Sequence, residues 1–173
     1  MTPNSERKRR HGAGIGHVHL AVSDLDRAVA FYRDALALSV SGCSKTSAYL
    51  AVGDYHHHIG LIVSGSGSTG GVTAASPGSC VAALRLPTRV ALAQAARRLQ
   101  VRGVEVVGAS DHGVNEALYI ADPDGHGIAL SWDRPRADWP RTANGEIAVV
   151  DLPLDLDSLL ACGGDAARGG RRP

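Results

Sequence analysis

The chain has 173 residues, 44% of them hydrophobic and 20% charged, and a formal net charge of +1. That is enough apolar length for one domain with its own core, and the charge balance leaves no electrostatic footprint for nucleic acid or an anionic membrane. No apolar run approaches the ~18 residues of a membrane span, and no apolar stretch follows the basic N-terminus as a secretory signal requires. Cys43, Cys80 and Cys162, odd in number and widely spaced, predict a cytoplasmic setting without a disulfide framework.

Residues 1–13 read as a disordered tail. The basic clusters at the two ends (Arg7 to Arg10; Arg168, Arg171 and Arg172) read as solvated charge. A first strand is predicted over 15–22, where alternation puts His17, His19 and Ala21 on one face and Val18, Leu20 and Val22 on the other. Ser23 is the expected helix cap, with Asp26 in the capping-box position. Leu25, Ala28, Val29, Tyr32, Ala35 and Leu36 then recur at helical spacing up to Leu38. Strand-like segments follow at 48–52 and 56–63. In the second, alternation sends His56, His58 and Gly60 to one face and His57 to the other. Residues 64–79, rich in Ser and Gly, read as a flexible linker.

A second unit opens with a strand near 80–86. Thr88 caps a helix carrying Val90, Leu92, Ala95, Ala96 and Leu99, and Gly103 closes it. Strands are predicted at 105–107, 116–121 and 128–132, the last two joined by the turn Asp122-Pro123-Asp124-Gly125. The two units share one plan at a period near 65 residues, which marks an internal duplication. The predicted fold is α+β: two tandem βαβββ units, 14–63 and 80–133, within a single domain 14–133. They form a curved, cup-shaped mixed sheet with helices on the outer face. Residues 134–173 are expected as an extended tail. The stretch Val149 to Leu156 has nothing of its own to pack on and is expected to lie along the domain or a partner.

The stretch His17-Val18-His19-Leu20-Ala21-Val22-Ser23-Asp24-Leu25 with Phe31-Tyr32-Arg33-Asp34, and Asp122-Pro123-Asp124-Gly125-His126-Gly127-Ile128, resemble the vicinal-oxygen-chelate superfamily of glyoxalases, bleomycin-resistance proteins and extradiol dioxygenases. Tyr55 to Leu61, Asp111 to Tyr119, Asp133 to Pro140 and Asp151 to Asp157 look like the first half of two-domain catechol 2,3-dioxygenases. The resemblance covers about residues 14–160. It implies a metal held in the cup by a His on the first strand of a unit, its counterpart in the next unit and a Glu on a final strand. Those positions here are His17, Val81 and Ala129, with Gly60 equivalent to Ala129 in the first unit. Valine, alanine and glycine side chains offer a cation no lone pair. No metal cofactor is therefore expected. His17 and His58 are the candidate ligands if there is one, and Fe(II) or Mn(II) is the alternative.

The histidines remain. Imidazole titrates near neutrality and carries protons in concave sites, so His17, His58, His112 and Glu116 are the candidate catalytic groups. His19, His56, Gly60, Val81, Tyr119 and Ala129 are the candidate substrate contacts. Three functions are weighed. The first is an enzyme acting on an aromatic or polycyclic metabolite by His-based isomerisation, cyclisation or dehydration. The second is a drug- or natural-product-binding protein, for which Val81, Ala129 and Gly60 leave space. The third is Fe(II) catechol cleavage. The expected partners are a small molecule and, because open sheet edges invite pairing, a second copy in a homodimer. Cys43, the Asp122–Gly125 turn and Gly14/Gly16 read as bystander, turn geometry and non-phosphate loop respectively.

Overall fold

The computed structural model describes residues 15–65, 81–148 and 150–162. The expected tail 1–13 and most of the expected linker lie outside them. Unit one contains β1 (Val18–Val22), α1 (Leu25–Asp34), β2 (Ser39–Cys43), β3 (Ser47–Ala51) and β4 (Ile59–Val63). Unit two contains β5 (Val81–Leu86), α2 (Arg89–Val101), β6 (Gly108–Asp111), β7 (Asn115–Ala121) and β8 (Gly127–Asp133). The chain continues into β9 (Leu152–Pro153) and α3 (Leu156–Cys162).

The sheets run β1-β4-β3-β2 and β5-β8-β7-β6-β9. In each, the first strand lies parallel to the last of its unit and the other pairs are antiparallel, so the sheets are mixed and repeat one topology. The fold is thus the expected α+β duplication. Registers make the repeat residue-specific. Val18 faces Ile59 as Ala82 faces Ile128, so Gly60 corresponds to Ala129. His17 and Val81 each stand seven residues before a helix cap, Asp24 and Thr88.

The helix ends follow local chemistry. Asp24, not Ser23, caps α1: its Oδ1 accepts the Arg27 N–H at 3.0 Å. Thr88 Oγ1 accepts the Ala91 N–H at 3.0 Å, as expected. Gly103, at φ +68°, lets the Val104 N–H turn back to Leu99 O. The corresponding end of α1 places Ala37 at φ 59°, where a Cβ is strained.

One core joins the units. Val22, Tyr32, Leu50 and Ile59 pack with Leu92, Leu99, Leu118 and Ile128, all buried. The Asp122–Gly125 turn of unit two clasps α1 of unit one. Tyr32 Oη donates to Asp122 Oδ2 at 2.9 Å, and Ser23 Oγ to Asp124 Oδ1 at 2.6 Å. Arg27 reaches the same Asp124 oxygen at 3.0 Å, and Arg98 Nε donates to Ala35 O at 2.9 Å.

Three local expectations change. The strand expected at 105–107 lies at Gly108–Asp111. The third strand that the repeat demands after α1 is Ser39–Cys43, an exposed stretch with no apolar alternation. Part of the expected extended tail is structured. β9 adds to β6 through Ser110–Pro153 and Asp111–Leu152, and α3 packs on α2 with Leu159 fully buried.

Candidate functional site

The helix-free faces of the sheets line the cup. Across unit one, register aligns His19, Gly60, Tyr49 and Gly42 in a row; across unit two, Ala83, Ala129, Tyr119 and Gly108 take the same places. Tyrosine and glycine recur, but the histidine does not. His19 fits because Gly60 has no side chain: a Cβ there would collide with the His19 ring. At the equivalent site in unit two, Ala129 carries a Cβ and its neighbour is Ala83.

β4 begins at Ile59, so His56, His57 and His58 precede it and strand alternation does not govern them. That overturns the expected orientation of His57. Its Nε2 stands 3.3 Å from His19 Nε2, and its ring centroid lies 4.2 Å from that of His17. The His17 and His19 rings stack at 4.9 Å. Together His17, His19 and His57 offer three nitrogens within 4.8 Å of one another. His56 stands behind them, its Nδ1 2.7 Å from His57 Nδ1. Ser41 Oγ holds the His56 carbonyl at 2.5 Å, and the His58 N–H bonds Leu50 O at 2.8 Å, which closes the loop. His58 is turned elsewhere: its Nδ1 accepts the Val52 N–H at 3.2 Å and its ring lies against Tyr55.

Burial, and then the charge of His17, hold the His19 imidazole below its ordinary pKa. Burial and the surrounding His17, His56, His19 and His58 do the same for His57. Both effects disfavour the cation. Among the described residues, none of the three makes an ion pair.

The other predicted residues separate. Glu116 shares the helix-side face of β7 with Leu118 and Ile120 and is 2% exposed. Its oxygens accept from Arg89 at 2.7 Å and Arg134 at 3.0 Å. It is a buried, ion-paired carboxylate and not an exposed edge charge. His112 Nε2 pairs with Tyr119 Oη at 2.9 Å, a second polar pair on the face of unit two. Its Nδ1 lies 3.3 Å from Val150 O and 3.6 Å from Asp151. Val81 is half exposed and Ala129 buried. The residues at the four family positions therefore do not fit the superfamily's metal set: only His17 has a donor nitrogen. A cavity of about 260 Å³, lined by Ala96, Val104, Val106, Leu118 and Leu160, opens on the helix side of unit two, away from the histidines. Among the described residues no helix is long and apolar enough to cross a membrane.

This duplicated βαβββ cup defines a class. Residues 14–130 match the model of the Glyoxalase/Bleomycin resistance protein/Dioxygenase superfamily, and the chain belongs to it. It is 33% identical over 152 residues to a catechol-2,3-dioxygenase of Bacillus subtilis, covering 87% of this chain and 52% of that protein. It is 28% identical over 119 residues to biphenyl-2,3-diol 1,2-dioxygenase 3 of Rhodococcus globerulus, covering 69% of this chain and 63% of that one. The chain thus spans about half to two thirds of these curated relatives. Among solved structures, lactoylglutathione lyase from Agrobacterium tumefaciens superposes with TM-score 0.57 at 18% identity, over 71% of this chain and 96% of that one. The fosfomycin resistance protein FosX from Listeria monocytogenes gives TM-score 0.54 at 18% identity, over 70% and 94%.

Proposed function

We propose that the protein is a small-molecule enzyme acting on an aromatic or polycyclic metabolite held in the cup, with proton transfer at the His17–His19–His57 cluster as its chemistry. The observation that carries this reading is the gathering of three imidazoles on the open face while three of the four family metal positions are Val81, Ala129 and Gly60. A neutral imidazole is both an acceptor and a donor. One ring of the pair His19/His57 takes a proton from a carbon beside a carbonyl or from a phenol, and its neighbour returns one elsewhere on the substrate. No electrons leave the system, which matches isomerisation, cyclisation or dehydration. Tyr49 lies beside the cluster as a ring-sized surface, its centroid 4.9 Å from that of His57 and 6.3 Å from that of His19. The four family positions of this chain supply one metal donor, His17, so Fe(II) catechol cleavage rests on the resemblance alone; one bound iron per chain with a ring-cleavage product would select it.

Incubating the protein with a panel of phenols, cyclic ketones and quinones, followed by product analysis, tests the reading. His19→Ala and His57→Ala should each lower turnover by about 10²-fold or more, the usual scale of general acid–base catalysis. Full activity in both variants overturns it.

The small side chains Gly60, Ala83 and Ala129 favour a second reading, a ligand-sequestering protein, since they leave floor space in an open cup. Tight binding with the ligand recovered unchanged would select that one.

A further inference from the structure

We propose that His17, His19 and His57 form a binding site for a borderline divalent cation of the Zn²⁺ class, built within unit one alone. It shares only His17 with the positions that the superfamily resemblance assigns to metal.

The spacing fits first. Two imidazole nitrogens on one tetrahedral ion, each bonded at 2.0–2.1 Å, stand about 3.3 Å apart. His19 Nε2 and His57 Nε2 are 3.3 Å apart, and His17 brings a third nitrogen within 4.8 Å. A side-chain turn of His17, which is exposed, closes the remaining gap.

The support behind the ligands fits as well. His57 uses Nδ1 against His56, and this is the outer-shell contact that fixes a ligand ring and leaves Nε2 to the ion. Ser41 pins the His56 carbonyl. His19 is laid flat by the missing Cβ of Gly60. Two of the three ligands are thereby held before any ion arrives.

The donor set selects the ion. Three neutral nitrogens, with no described carboxylate in the group, suit Zn²⁺, Co²⁺, Ni²⁺ or Cu²⁺. They do not suit Mg²⁺ or Mn²⁺, which want oxygen, nor the two-histidine-one-carboxylate set of non-haem Fe(II). His17 and His19 are exposed, so the fourth position faces the cup and stays open to water or a ligand, the arrangement of a three-histidine site with catalytic rather than structural geometry.

The inference concerns the same three side chains as the proton-transfer reading and competes with it: an ion on these nitrogens occupies the lone pairs that a base needs. The experiment uses full-length protein prepared without a polyhistidine tag and stripped with EDTA. Zn²⁺ is titrated by calorimetry, and Co²⁺ by visible absorption as a reporter of coordination geometry. We expect one ion per chain, a tetrahedral-type Co²⁺ spectrum and no saturable Mn²⁺ heat. Loss of an outer-shell partner costs 10–100-fold in affinity, so His19→Gln and His57→Gln should each weaken Zn²⁺ binding by about 100-fold or more. His58→Gln should leave it unchanged. Gly60→Ala should weaken binding without deleting a ligand, and circular dichroism melts verify that each variant is folded. Absence of saturable Zn²⁺ binding, equal binding by His57→Gln and parent, or an equal loss in His58→Gln each overturns the site. Turnover by the stripped protein decides the proton-transfer reading separately.

Discussion

Single residues set the geometry of this cup where no motif does. Gly60 is the clearest case, because its missing side chain is the space that His19 occupies. Ala37 shows the opposite situation: a Cβ sits at φ 59° where its counterpart Gly103 carries none. Left-handed backbone costs a non-glycine residue about 1–2 kcal/mol, offset in part by the greater unfolded-state freedom of glycine. Ala37→Gly should therefore raise stability by about 0.5–1 kcal/mol, read as a higher midpoint in chemical denaturation. Asp124 gives a pH prediction. Burial raises its pKa, but the hydrogen bonds from Ser23 and the charges of Arg27 and His126 outweigh that and hold it below its ordinary value. A carboxylate depressed in the folded state contributes stability above its unfolded pKa and loses it as pH falls through the folded one. Below about pH 4 the parent should lose stability more steeply than Asp124→Asn, which has no such proton to take up. Equal acid limbs in urea titrations would contradict this.

At the scale of elements, one buried carboxylate joins three segments. Glu116 ties β7 to the N-terminal turn of α2 through Arg89 and to the segment after β8 through Arg134. Breaking a buried pair costs 3–5 kcal/mol. Both guanidiniums here reach water, so Glu116→Gln should cost about 2–3 kcal/mol of stability, measured by urea denaturation. α3 is similar in kind: Leu159 is fully buried, and Leu159→Ala should cost about 2–4 kcal/mol.

These elements also show what the sequence could reveal. α1 and α2 were legible from their apolar spacing, and the Asp122–Gly125 turn from its residues, because all of these signals are local. β2 was not named, since Ser39–Cys43 buries little on either side and so carries no alternation. His56–His58 resembled strand because an apolar run follows them. Only the β3–β4 ladder, which ends at Leu50–Ile59, shows that they are loop. The ion pairs of Glu116 are not legible in the sequence because its partners, Arg89 and Arg134, lie 27 and 18 residues away. Alternation groups His58 with the inward histidines, whereas the loop turns His57 toward His17 and His19.

At the scale of the whole molecule, β9 covers two residues of the outer edge of unit two, while among the described residues nothing pairs with the outer edge of β2 in unit one. An open edge favours pairing, and we propose a homodimer formed across it. Light scattering at micromolar concentration should give twice the chain mass of 17.9 kDa; a single mass would refute it. Within one chain, the two sheets share no ladder among the described residues. They are held by the common core and by the grip of the Asp122–Gly125 turn on α1. The placing of the two sheets against each other is therefore a side-chain property and not a backbone one. Exchanges at Ser23, Arg27 or Asp124 should act on that placing and leave the ladder within each sheet untouched.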